Sequence, residues 1–95
     1  NEEQGLIIDE EKSFASWQGQ TLPLTLTEFR ILLAIIKAGP EGIDYDSLSD
    51  STMQRMVTNG TINSHVKNIR KKLKGHNALI EIRVVYGLGY KLVET

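Results

Sequence analysis

The apolar residues Ile62, Val66, Ile69 and Leu73 fall at i, i+4, i+7 and i+11, a single narrow stripe on a helical wheel. A stripe of this kind has to face a core, and it thereby assigns the opposite face. At about 100° per residue, Ser64, Lys67, Asn68 and Lys71 lie opposite the stripe, with Asn63, His65, Arg70 and Lys72 on its flanks. No acid stands anywhere between Ile62 and Leu73. A solvated helix normally mixes Glu with Lys to gain i,i+4 pairs worth about 0.2–0.5 kcal/mol each. This stretch forgoes them, so a partner carrying negative charge is expected to supply the counter-charge. Lysine and arginine neutralise phosphates, whereas Asn, Ser and Lys reach base edges in a major groove wide enough for a helix. The same residues would also make a basic face that is merely solvated.

Charge along the chain bears on that choice. The net charge of −1 is unpromising for a nucleic-acid binder, but residues 1–50 hold three basic and ten acidic residues, and residues 51–95 hold eight basic and two acidic ones. The halves carry −7 and +6, so one end repels phosphate and the other attracts it. With 95 residues, 40% of them hydrophobic and 24% charged, the chain reads as one globular domain. The absence of cysteine excludes disulfides and thiolate catalysis and suits a cytosolic address. The longest apolar run, Ile31 to Ile36, is far short of the roughly 20 residues of a membrane span, and no membrane partner is expected.

The first 24 residues read as short strands of an antiparallel sheet: Leu6 to Ile8, Phe14 to Trp17, and Thr21 to Leu24, separated by polar and glycine turns. Thr25-Leu26-Thr27-Glu28 has capping-box spacing and opens a helix over about 26–38, with Leu26, Phe29, Leu33 and Ile36 as its apolar positions and Gly39-Pro40 as its stop. Asp44 is placed to cap a short second helix carrying Tyr45 and Leu48. The third helix is expected over about 59–73, ended by Lys74-Gly75-His76-Asn77. Leu79 to Val85 and Tyr90 to Val93 then form a hairpin around Tyr86-Gly87-Leu88-Gly89. Arg83 precedes that hairpin and Tyr86 stands at its tip, as in a wing that brings backbone to a phosphate ridge. The glycines are equally what any tight turn demands.

Other chemistries find little support. Asn59-Gly60-Thr61 matches a glycosylation acceptor, but it reads better as the start of the third helix. His65 and His76 stand eleven residues apart with no cysteine, so no metal site is expected. Ser64 adjoins His65, but neighbouring helix positions do not face each other, and no enzyme is expected. Phe14 and Trp17 read as core packing and not as base-stacking aromatics, so binding to unpaired RNA bases is not favoured. No cofactor is implied.

Three blocks carry a family resemblance that covers nearly the whole chain. Leu24 to Leu32 (LTLTEFRIL) is similar to LTxTEFxLL, Thr61 to Leu73 (TINSHVKNIRKKL) to TVDxHIxxLRKKL, and Val84 to Leu92 (VVYGLGYKL) to TVRGxGYRL, motifs of the OmpR/PhoB-type effector domains of two-component response regulators. The resemblance implies an α+β fold, a winged helix-turn-helix with an N-terminal four-stranded antiparallel sheet, three helices and a C-terminal β-hairpin wing. It places the third helix in the major groove of double-stranded DNA and the wing, about 84–90, over the minor groove. By matching positions, Thr61, His65, Lys67 and Arg70 would contact phosphates and Asn63 and Asn68 base edges, and Tyr86 would be the residue the wing presents, placed to stack on sugar or donate its hydroxyl to a phosphate; Ser64, Lys71 and Arg83 complete the expected contact set. Two departures stand out: Gly60 replaces an arginine common in the family, and Tyr86 replaces the usual wing arginine.

The resemblance also implies transcription control, a homodimer on direct-repeat DNA, RNA polymerase contact through residues 49–58, and a sensor kinase acting through a receiver domain. No segment here reads as that receiver, so the chain is expected to be the C-terminal part of a longer regulator. A winged helix retained as a protein-interaction module is the alternative.

Overall fold

A computed structural model describes residues 5–54 and 57–94 of the chain. It opens with β1 (Leu6–Asp9), β2 (Phe14–Trp17) and β3 (Gln20–Thr21), an antiparallel sheet in that order with Leu6 opposite Trp17 and Ser16 opposite Thr21. Four strands are expected from the resemblance, and among the described residues this sheet has three. Leu22 extends the ladder by one bond, its N–H donating to the Ala15 carbonyl at 2.8 Å. Pro23, with no N–H to give, ends it there.

Helix α1 (Leu26–Ala38) begins with the capping box that Thr25-x-x-Glu28 announces: the Glu28 N–H donates to Thr25 Oγ1 at 3.1 Å, and the Thr25 N–H donates to Glu28 Oε1 at 3.0 Å. Its buried residues are Glu28, Phe29, Ile31, Leu32 and Ile35. Leu26, expected on the apolar stripe, is exposed instead. The run Ile31 to Ile36 is apolar all round, so periodicity alone could not phase the helix, and the face lined by Phe29, Leu32 and Ile35 turns inward.

Strand β4 (Ile43–Asp44) leads into α2 (Tyr45–Ser51), capped by Asp44, whose carboxylate accepts from the Ser47 N–H at 3.2 Å and the Ser47 hydroxyl at 2.7 Å. The hydroxyl first, then the backbone N–H, hold that carboxylate below its ordinary range. Helix α3 (Asn59–Gly75) is capped by Thr58 and outlasts the expected 59–73 by two residues. Its end is a Schellman motif: Asn77 takes φ 56°, its N–H donates to the Lys74 carbonyl at 3.0 Å, and the Ala78 N–H donates to the Leu73 carbonyl at 3.0 Å. Asn77, not Gly75, supplies the left-handed residue. Strands β5 (Ile80–Val85) and β6 (Gly89–Glu94) form the terminal hairpin, with β4 on the outer side of β6.

Ile62, Val66, Ile69 and Leu73 are all buried, as their spacing predicts, and meet Phe29, Ile31, Leu32, Ile35 and Leu48 in one core. Each such side chain contributes about 1.5–3 kcal/mol on burial. The core therefore holds α3 firmly by its inner face and delivers the outer face to solvent. No helix among the described residues is long and apolar enough to cross a membrane.

Candidate nucleic-acid interface

The outer face of α3 presents Thr61, Ser64, Lys67, Asn68, Lys71 and Lys74, all exposed, with His65 half-buried at its edge. At the leading end Thr58 Oγ1 accepts from the Thr61 N–H at 3.2 Å and lies 3.0 Å from Thr61 Oγ1. The helix has no acid in its first turn, so the positive end of its dipole adds to the lysines.

Three flanking side chains are drawn into contacts within the domain. Lys72 pairs through Nζ with Oε1 of Glu28, which is buried. Arg70 donates from Nε to the Ile82 carbonyl at 2.9 Å, and its guanidinium carbon lies 5.6 Å from the centre of the Tyr90 ring. Asn63, a base-edge candidate on the wheel, uses Oδ1 to accept from the Tyr45 hydroxyl at 2.8 Å and also from the Tyr90 hydroxyl. The roles of Tyr45 and Tyr90 leave no trace in the chain's periodicity, whereas Lys74 could have been read from its place three residues after Lys71. Burial, then the neighbouring Tyr45 phenol, push the Tyr90 hydroxyl up to about 12 against the opposing pull of Arg70.

The hairpin turn carries Tyr86 fully exposed at its tip, flanked by exposed Val84 and Leu88. The Leu88 N–H closes the turn on the Val85 carbonyl at 3.0 Å, and Gly87 takes φ +77° at the third turn position, the geometry of a type II turn. Arg83 is exposed and pairs with Glu81 at 2.8 Å. An exposed pair of this kind contributes about 0–1 kcal/mol, too little to keep Arg83 from a phosphate. The hairpin tip is thus apolar and aromatic, with the cations Arg83 and Lys91 facing each other further down the two strands.

Residues 19–92 match the family described as transcriptional regulatory protein, C terminal. The chain belongs to this family. Among curated relatives, the transcriptional regulatory protein BaeR of Escherichia coli O6:H1 is 41% identical over 92 residues, covering 94% of this chain and 38% of BaeR. CpxR of Escherichia coli K12 is 31% identical over 94 residues, covering 93% of this chain and 39% of CpxR. The chain therefore spans well under half the length of these regulators. Among solved structures, the DNA-binding domain of response regulator AdeR in complex with an intercistronic region superposes with TM-score 0.85 at 27% identity, covering 96% of each chain. The DNA-binding domain of CpxR from Escherichia coli follows with TM-score 0.79 and 28% identity, covering 96% of this chain and 92% of that one. The α+β winged-helix architecture expected from the three sequence blocks is the one this family member has.

Proposed function

We propose that this regulator domain binds double-stranded DNA sequence-specifically, as the output half of a two-component response regulator, with α3 in the major groove and the hairpin tip against the minor groove. The acid-free outer face of α3 carries the reading: Thr61, Ser64, Lys67, Asn68 and Lys71 are exposed together, and the core holds the helix from behind. Lys67, Lys71, His65 and Thr61 suit phosphates, Asn68 and Ser64 suit base edges, and Arg83 and Tyr86 suit the backbone beside the wing. The AdeR domain, whose backbone this one follows, is a DNA complex. Partners of the whole regulator follow from the same family: a second copy on direct repeats, a sensor kinase acting through a receiver domain, and RNA polymerase through residues 49–58, with a cytoplasmic address. In that last segment Met53 is 79% exposed with φ 58° and does not fill the core; Met56 lies outside the described residues.

The alternative, a protein-interaction module, draws on the apolar tip formed by Val84, Tyr86 and Leu88. Salt separates the two. Duplex binding through about five phosphates weakens with a log–log slope near −4.5, whereas an apolar interface responds little. Lys67→Ala is expected to weaken binding to specific and random duplex alike and to lower that slope by about one unit. An unchanged slope removes Lys67 from the contacts. Asn68→Ala is expected to cost about 1–3 kcal/mol on the preferred duplex and almost nothing on scrambled DNA, because Asn pairs bidentately with adenine N6 and N7. Titration of both duplexes at one ionic strength reads this directly, and equal losses on both would make Asn68 a backbone contact.

A further inference from the structure

Asn63 sits on the α3 flank among the residues assigned to DNA, yet its side-chain oxygen faces the protein. The two hydroxyls that reach it come from different elements: Tyr45 is the first residue of α2, and Tyr90 the second residue of β6, at the root of the wing. The two rings meet edge to face, 5.8 Å between centres at 71°. Seven residues further along the same side of α3, Arg70 lies over the Tyr90 ring and donates to the Ile82 carbonyl in β5. Tyr90 is thus gripped at its hydroxyl and at its ring by two residues of one helix.

Apolar burial is non-directional, whereas hydrogen bonds weaken steeply with misalignment, so polar contacts add an angular restraint to the packing that holds α3. A tyrosine hydroxyl held up to about 12 stays a donor throughout the physiological range. With Oδ1 accepting twice, Asn63 also lacks the acceptor that the bidentate pair with adenine requires, and keeps only N–H donors for a partner.

We infer that Asn63 is a positioning residue, which through Oδ1 fixes the angle of α3 to the wing and to α2 so that both DNA-facing elements meet adjacent grooves in register, and that it does not read a base. The inference rests on the DNA-binding reading. It differs from it in what it asks of Tyr45 and Tyr90, neither of which belongs to the proposed contact set.

The test starts from a duplex selected out of a random pool by the wild-type chain and compares affinity for it with affinity for its scrambled form. Asn63→Leu, and the double variant Tyr45→Phe with Tyr90→Phe, are each expected to lower the matched-to-scrambled ratio about tenfold, and the triple variant to lower it no further, since all break the same contacts. Asn63→Asp should hold the ratio within about twofold, because a carboxylate accepts from both hydroxyls, while its charge weakens binding to both duplexes alike. Collapse of the ratio in Asn63→Asp, with the tyrosine double variant unaffected, makes Asn63 a base reader and overturns the inference. A lowered melting temperature with an unchanged ratio in the tyrosine variant reduces the network to packing and overturns it too. If Asn63→Leu does not fold, Asn63→Asp and the tyrosine variant decide alone. Failure of the wild type to enrich any sequence overturns the DNA-binding reading itself, before any variant is made.

Discussion

Lys72→Met is expected to lower stability by about 3 kcal/mol, which for a domain of this size is a fall in melting temperature of at least about 12 °C. Glu28 Oε1 accepts from the Thr25 N–H and from Lys72 Nζ, and the Glu28 side chain is only 3% exposed. Removing the ammonium leaves a buried carboxylate with its capping donor and no counter-charge. Breaking a buried pair from one side costs about 3–5 kcal/mol; the Lys72 end is partly in water, which places the expectation at the lower limit. Methionine keeps the apolar stem packed, so the change isolates the charge. Adding Glu28→Gln to Lys72→Met should restore part of the loss, because the amide oxygen still accepts from Thr25 and carries no charge to strand. A drop below about 4 °C, equivalent to about 1 kcal/mol, would mean that water already solvates Glu28. The duplex salt slope should match wild type, since a lysine committed to α1 has no phosphate to lose.

That pair also marks the boundary of what the chain discloses about itself. Capping boxes, stripes and turns are local, and they can be read: Thr25 and Glu28 cap α1, and Ile62, Val66, Ile69 and Leu73 are buried where their spacing puts them. Glu28 already has a complete local role at the helix start, so nothing in the sequence hints that it also meets a lysine 44 positions away. Asn63 is the same case. The wheel places it correctly on the flank of α3, but it says nothing of tyrosines 18 residues before and 27 residues after it. The exposed candidates Ser64, Lys67, Asn68 and Lys71 were legible because exposure follows from the stripe alone. Which flanking cations stay available does not, since Arg70 and Lys72 are held back by partners in other elements, the Ile82 carbonyl and Glu28.

The two hairpin glycines are expected to respond unequally to the same substitution, and the difference separates turn chemistry from close approach. By sequence, Gly87-x-Gly89 reads as one turn motif. Gly87 does serve the turn: its φ is +77° and an added Cβ meets nothing within 4 Å, so Gly87→Ala bears only the left-handed penalty of about 1–2 kcal/mol. Gly89 lies in β6 opposite Asp44, where β4 crosses close by, and a Cβ there would stand 2.1 Å from the Ile43 carbonyl oxygen. The three nearest atoms are all β4 backbone, so no flexible side chain is there to move aside. Gly89→Ala must push β4 off β6, opening the Ile43–Tyr90 and Asp44–Gly89 pairings, and a loss of about 3 kcal/mol or more is expected. The damage also reaches the proposed DNA-facing surface, because Asp44 caps α2 and Tyr90 is the residue that Asn63 and Arg70 grip. Thermal unfolding of both variants, with duplex titration below their melting temperatures, reads the contrast. Gly87→Ala should keep the matched-to-scrambled ratio and Gly89→Ala should lose it. Equal destabilisation by the two would show that β4 yields easily, and that the root of the wing is held by its hairpin alone.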